Sequence, residues 1–136
     1  MDLLKSIMIA ASGLQAQSGR MRVIAENLAN ADSTAKTANE NPYRRRVMTF
    51  ENEFSRQLNA YVVKAGKFEL DQSDFGKKYS PGHPAADKTG YIKTPNVSTL
   101  VEMMDMRQAQ KSYEANLNVI RSARTMATRT LDILRG

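Results

Sequence analysis

From Pro95 to Arg135 the apolar positions Met103, Met106, Tyr113, Leu117, Ile120, Ala127, Leu131 and Leu134 fall at steps of three and four, interrupted only by Gln110 and Arg124. That is the period of a helix presenting one seam to a partner. No Gly or Pro lies between Val97 and Arg135, so the pattern predicts a single helix of roughly 57 Å at about 1.5 Å rise per residue. Ser98 or Thr99 is placed to cap it, with Glu102 three or four residues on. Val119, Met126 and Ile133 form a second apolar line on another side of the same helix. A lone two-helix hairpin would leave that line in water, so the helix needs more than one neighbour.

The first thirty residues behave alike. Leu4, Ile7, Ala11, Leu14, Ser18, Met21, Ala25 and Leu28 alternate three and four, and Ile9, Ala16 and Val23 lie nearly opposite. Polar character is confined mainly to the strip holding Lys5, Ser12, Gly19 and Glu26 with Ser6, Gly13, Arg20 and Asn27. A helix apolar around most of its girth is a buried helix. Gly13 and Gly19 lie in the polar strip, which fits either close approach by a neighbouring backbone or a helix of marginal stability on its own.

Between the two helices the period breaks down. Residues 32–41 hold no large apolar side chain and predict a loop closed by Pro42. Tyr43 to Phe50 predicts a strand carrying Arg44, Arg45 and Arg46, while residues 51–59 fit either helical turns or irregular chain. Tyr61 to Val63 and Phe68 to Leu70 predict two strands separated at Gly66. Ser80-Pro81-Gly82-His83-Pro84 and Asp87-Lys88-Thr89-Gly90 predict turns, the second leading into Tyr91-Ile92-Lys93. A β region of this size is too slight to hold together strongly by itself.

Charge changes the picture little at this stage. The net charge of +6 is spread along the chain, with 3 Lys and Arg against 2 Asp and Glu in residues 1–30, 11 against 8 in 31–98 and 6 against 4 in 99–136. The Arg44–Arg46 run is expected to be a solvated face, and the pairs Glu51 with Glu53 and Glu102 with Asp105 to be solvated polar positions. No apolar run reaches the ~18–20 residues that span a bilayer. One His, no Cys and no phosphate-binding Gly loop leave catalysis without a constellation of groups. His83 is expected to be a turn residue, and no metal or cofactor is expected. The Met103, Met104 and Met106 cluster suits adaptable packing against non-identical neighbours. Two alternatives are a nucleic-acid binder using Arg44–Arg46 with Arg121, Arg124 and Arg129, and a membrane-surface protein whose first helix lies in the lipid interface.

Three segments resemble one family. Ser12-Gly13-Leu14-Gln15-Ala16-Gln17, Met21, Val23, Ile24, Ala25 and Asn27-Leu28-Ala29-Asn30 resemble the N-terminal motif of the axial proteins of the bacterial flagellum. Pro42-Tyr43-Arg44-Arg45-Arg46, Tyr79 to Pro84, Ala86-Asp87, Gly90-Tyr91 and Pro95-Asn96-Val97 resemble the middle of the proximal-rod branch of the basal-body rod proteins. Glu102-Met103, Asp105-Met106, Ala109 and Ser112 to Asn116 resemble its C-terminal motif. Where many axial proteins continue with Thr-Pro-Gly after Asn-Leu-Ala-Asn, this chain has Ala31-Asp32-Ser33-Thr34.

The resemblance implies a mainly α fold: residues 1–30 and 97–136 as long terminal helices paired in a coiled coil, with a loop and small turn-rich β region over 31–96. It implies a non-enzymatic rod subunit of the basal body, in the periplasmic space, exported without a cleaved signal peptide. Its partners would be copies of itself and other rod subunits, with the inner-membrane ring, the export gate and surrounding rings as further candidates, and no nucleic acid. Assembly residues would be Leu4, Ile7, Leu14, Met21, Asn27, Leu28, Asn30, Met103, Met106, Tyr113, Asn116, Leu117, Ile120, Met126, Leu131 and Leu134. The apolar lines not used within the chain would then be buried only between subunits.

Overall fold

Helix α1 covers Leu3–Ala29 and helix α2 covers Thr99–Arg135, in a computed structural model that describes residues 2–136. At the start of α1 the Asp2 carboxylate accepts a hydrogen bond from the Lys5 N–H at 3.2 Å, where negative charge also suits the helix dipole. Asn30 closes α1: its amide donates to the Glu26 carbonyl at 2.8 Å, and its N–H reaches the same oxygen at 3.2 Å. Helix α2 begins when the Ser98 carbonyl accepts the Glu102 N–H at 3.0 Å, just after the buried Pro95. The helices hold 27 and 37 of 136 residues, so loops and strands take rather more of the chain than a mainly α architecture suggests.

Strands β1 (Arg46–Ser55) and β2 (Ala60–Leu70) pair in one two-stranded sheet, and β3 (Gly76–Tyr79) and β4 (Tyr91–Thr94) in another. The sequence expectation is corrected here in two ways. The first strand starts later and runs through the ambiguous residues to Ser55, and the two strands expected around Gly66 are one. Gly66 does not break β2; a Cβ there would collide with the Thr49 hydroxyl, so glycine allows the cross-strand approach. The four-residue connection 56–59, with Asn59 in the left-handed region at φ 45°, is too short for anything but an antiparallel hairpin.

The chain gathers into two compact units. The first comprises Met1–Met21, Thr49–Lys67 and Arg107–Gly136. Its buried residues are small: Ala10 and Ala16 on α1, Ala109 and Ala123 on α2. Small side chains leave room for a neighbour, and at Gly13 that room is filled by the Asn116 side chain, whose amide nitrogen would lie 2.8 Å from an added Cβ. The hairpin is tied to α1 by the Lys5 ammonium, which donates to the Asn59 carbonyl at 2.9 Å, and by the Val63 N–H, which donates to the Ser12 hydroxyl at 3.3 Å.

The second unit comprises Arg22–Met48 and Phe68–Met106. Val23, Ile24, Ala85 and Ile92 are its buried apolar side chains. Strands β3 and β4 are antiparallel, with Tyr79 opposite Tyr91 and Lys77 opposite Lys93; the two Tyr rings meet edge to face at 5.2 Å. Asp87 builds the turn before β4, its carboxylate accepting the N–H groups of Thr89 and Tyr91 at 2.8 and 3.0 Å. Gly90 completes that turn at φ 84°, with the Tyr79 ring 2.8 Å from where a Cβ would stand. His83 lies in its own turn, Nδ1 accepting the Ala85 N–H at 3.0 Å and Nε2 lying 3.3 Å from the Thr34 hydroxyl.

Candidate assembly surfaces

A folded chain normally covers its large apolar side chains; this one does not. On α1, Leu4 is 67% exposed and Met8 47% exposed, while Ile7, Leu14, Met21 and Leu28 are half-buried. Of the buried positions of that helix, Ala16, Val23 and Asn27 lie on the other side, while Ala10 and Ile24 lie beside the seam, one turn before Leu14 and Leu28. The helix thus buries a line that takes in part of its polar strip and leaves its seam of larger residues half-buried or, at Leu4, exposed. On α2 the buried line is Glu102, Ala109 and Ala123, with Asn116 half-buried between them, all at seven-residue steps. Met106, Tyr113, Ile120 and Ala127 flank it and are half-buried.

The remaining seam of α2 is open. Met103 is exposed and Leu117 half-buried, and from Thr128 to Gly136 every residue is exposed, Leu131 and Leu134 among them. Val119, Met126 and Ile133 also face solvent, with Ile133 at 79%. Met126, Arg129, Thr130 and Ile133 line a shallow groove of about 380 Å³ together with Leu3. Exposed apolar surface on this scale marks an interaction face.

Of the expected assembly residues, Asn27, Asn30 and Asn116 do not belong to these open faces; Asn116 lies on the buried line of α2, against Gly13. Asn27 is buried in the second unit, and all four hydrogen-bonding positions of its amide are used. Nδ2 donates to the Arg46 carbonyl at 2.8 Å and to Glu102 Oε2 at 3.0 Å; Oδ1 accepts the Arg46 N–H at 3.0 Å and the Tyr43 hydroxyl at 2.9 Å. By taking both the N–H and the carbonyl of Arg46, the amide stands in for a neighbouring strand's peptide group at the start of β1. Asn30 is the helix-closing residue described above.

Around Asn27 lies a polar junction that corrects the solvated reading of both the arginine run and the Glu102–Asp105 pair. Glu102 is fully buried. Arg45 reaches it through Nε and also meets Asp105 at 3.3 Å and Asp71 at 3.4 Å. The Arg45 backbone is held as firmly: its N–H donates to Asn96 Oδ1 at 2.7 Å, and its carbonyl accepts the Asp71 N–H at 2.9 Å. Asn96 in turn donates to the carbonyls of Asp71 and Ser73 and to the Ser73 hydroxyl. Arg44 donates to the same two carbonyls and stacks 4.2 Å from the Phe75 ring centre. Only Arg46 is exposed, paired loosely with Glu26 at 3.5 Å.

Burial disfavours the Arg45 charge, but its bonds to Glu102 and then Asp71 outweigh that and raise its pKa. The Asp71 carboxyl is held below its ordinary value first by the Ser73 N–H and hydroxyl, then by Arg45. A depressed carboxyl contributes stability above its unfolded pKa of about 3.9 and loses it as pH falls through the lower folded value. Acid titration followed by circular dichroism should therefore show weakening that begins below about pH 4, and Asp71→Asn should reduce that acid dependence.

The sequence signal for this junction was the heptad line of Glu102, Ala109, Asn116 and Ala123, small and polar where a seam is expected to be large and apolar. Nothing in the periodicity linked Glu102 to Arg45 or Asn27. Among the described residues there is no group of three His, Cys, Asp or Glu side chains able to hold a metal, and no helix is long and apolar enough to cross a membrane.

Comparison with known proteins agrees along the whole chain. Residues 7–35 match the family described as "Flagella basal body rod protein", and residues 88–133 the family described as "Flagellar basal body rod FlgEFG protein C-terminal". The chain is 48% identical over 128 residues to a flagellar basal-body rod protein FlgC of Agrobacterium fabrum, covering 94% of this chain and 92% of that one. It is 37% identical to the FlgC of Borreliella burgdorferi over the full length of both, and 38% identical to that of Salmonella typhimurium over 98% of both.

Proposed function

The chain belongs to the FlgC family of flagellar basal-body rod proteins, a structural and non-enzymatic family, and from that premise we propose how it assembles. It is a structural subunit of the flagellar rod. Within one copy, α1 and α2 of the first unit pair as a coiled coil through small residues, as the approach of Gly13 to Asn116 supports. The outward seams, Leu4, Ile7, Leu14 and Met21 on α1 and Leu117, Met126, Leu131 and Leu134 on α2, are covered by copies of the chain and by other rod subunits. The assembled rod occupies the periplasmic stretch of the basal body. The observation that carries this is the exposure of Leu4, Met126, Leu131, Ile133 and Leu134 on helices whose small residues are buried.

The test separates folding from assembly. In a strain lacking its own copy, Met126→Asp with Ile133→Asp is expected to abolish motility and basal-body completion, while the purified variant keeps parental helicity. Both side chains face solvent in the single chain, so a charge there is costly only once another subunit buries it. A motile strain carrying the double variant would overturn the proposal.

A further inference from the structure

The charge that is spread evenly along the sequence is not spread evenly over the fold. The first unit holds eleven Lys and Arg against five Asp and Glu; the second holds nine of each. The whole +6 therefore resides in the first unit. Six of its cations, Arg107, Lys111, Arg121, Arg124, Arg129 and Arg135, are exposed on α2 and make no ion pair among the described residues. At helical spacing Arg129 falls beside Met126 and Ile133, and both Arg129 and Met126 line the open groove. Lys111 falls on the same side, two turns ahead of Val119.

From this we infer that the open α2 face takes an acidic partner: an amphipathic helix of a different chain, with Asp or Glu flanking its apolar seam. A second copy does not supply that chemistry. Its first unit is itself strongly basic; in its second unit Glu102, Asp71 and Asp105 are committed to Arg45 and Glu26 to Arg46, and the other acids, Asp32, Glu40, Glu69, Asp74 and Asp87, lie on loops, turns or a strand, so none of them flanks a helical seam. Charges flanking an apolar seam set which helix is accepted, because like charges brought together there repel. The inference rests on the assembly reading above and names the partner for one face of it.

The experiment uses the full chain and two synthetic helices of about four heptads with identical Leu seams, one flanked by Glu and the other by Lys. The Glu helix is expected to bind at least roughly tenfold tighter at about 50 mM salt, with the gap closing at about 300 mM as screening shortens. Lys111→Glu with Arg129→Glu should reverse the preference, and Lys111→Gln with Arg129→Gln should flatten it. Both pairs are exposed, and helicity by circular dichroism checks that the fold is kept. Equal binding of the two helices, or a preference unmoved by the charge-reversed variant, overturns the inference. So does capture by phosphatidylglycerol vesicles without capture of the Glu helix, which would make the face a lipid contact. Self-association that tightens at low salt would make the occupant a second copy. None of these results bears on the motility loss expected for Met126→Asp with Ile133→Asp, so the two proposals fail separately.

Discussion

Arg45→Met is expected to lower the unfolding free energy by about 3–5 kcal/mol, the usual cost of removing one partner of a buried ion pair. Glu102 has no exposed surface, so without Arg45 its charge is left with one neutral donor, the Asn27 amide. Asp71 and Asp105 also lose the guanidinium they share, although Asp71 keeps the Ser73 N–H. The remedy is also predictable. Adding Glu102→Gln to Arg45→Met removes the stranded charge while keeping an acceptor for Asn27, and should recover most of the loss. Denaturant melts of parent, single and double variants measure both effects; a single-variant loss under about 1 kcal/mol would mean the junction matters no more than a surface pair.

Asn27→Asp should be comparably severe at pH 7, although it changes one atom of the side chain. The carboxylate can still accept from the Arg46 N–H and the Tyr43 hydroxyl, but it cannot donate to the Arg46 carbonyl or to Glu102. It also places a second negative charge at the 3.0 Å contact with Glu102, and two carboxylates sharing a buried site cannot both ionise cheaply. The new carboxyl's folded pKa is therefore raised above its unfolded value, so stability relative to the parent improves as pH falls. Melts at pH 7 and pH 5 should show the deficit shrinking in acid. Asn27→Leu loses the same donors without a charge, and its deficit should be the same at both values. Arg45 and Asn27 share partners, so the two losses will not add.

Destabilisation at the junction and loss of assembly at the open apolar positions are separable because they use different residues, buried in one case and exposed in the other. The inward side is closed by Ala10, Gly13, Ala16, Ala109 and Ala123, residues too small to bury much area but small enough to bring backbones together. The outward side keeps Leu4, Met126, Leu131, Ile133 and Leu134, which have the area to stabilise contacts at roughly 25 cal/mol per Å² once covered. A chain arranged this way keeps much of its apolar burial for association, and the charge of its first unit biases which partner supplies it.

Both long helices, the turns at Asp87–Gly90 and Ser80–Pro84, and the presence of surplus apolar lines were legible from the residues. Each depends on spacing or on backbone preferences that act over a few neighbours. The same local character explains the misplaced strand boundaries: Gly66 looks like a break until Thr49 is known to lie against it. The polar surroundings of Asn27 and Glu102 were not legible, because they are set at longer range. Their motifs were visible, but not that Asn27, Arg45, Asn96 and Glu102 come together from four separate stretches of chain.

The residues alone therefore determined that two helices carry more apolar faces than one pairing can cover, because a three-four repeat sets the spacing of a face whatever surface later meets it. Only the tertiary structure decided which face turns inward. There, close approach at small residues and a buried charge neutralised by a distant arginine outweigh the larger side chains; the small and polar residues recur every seven positions along α2, but nothing periodic ties Glu102 to Arg45.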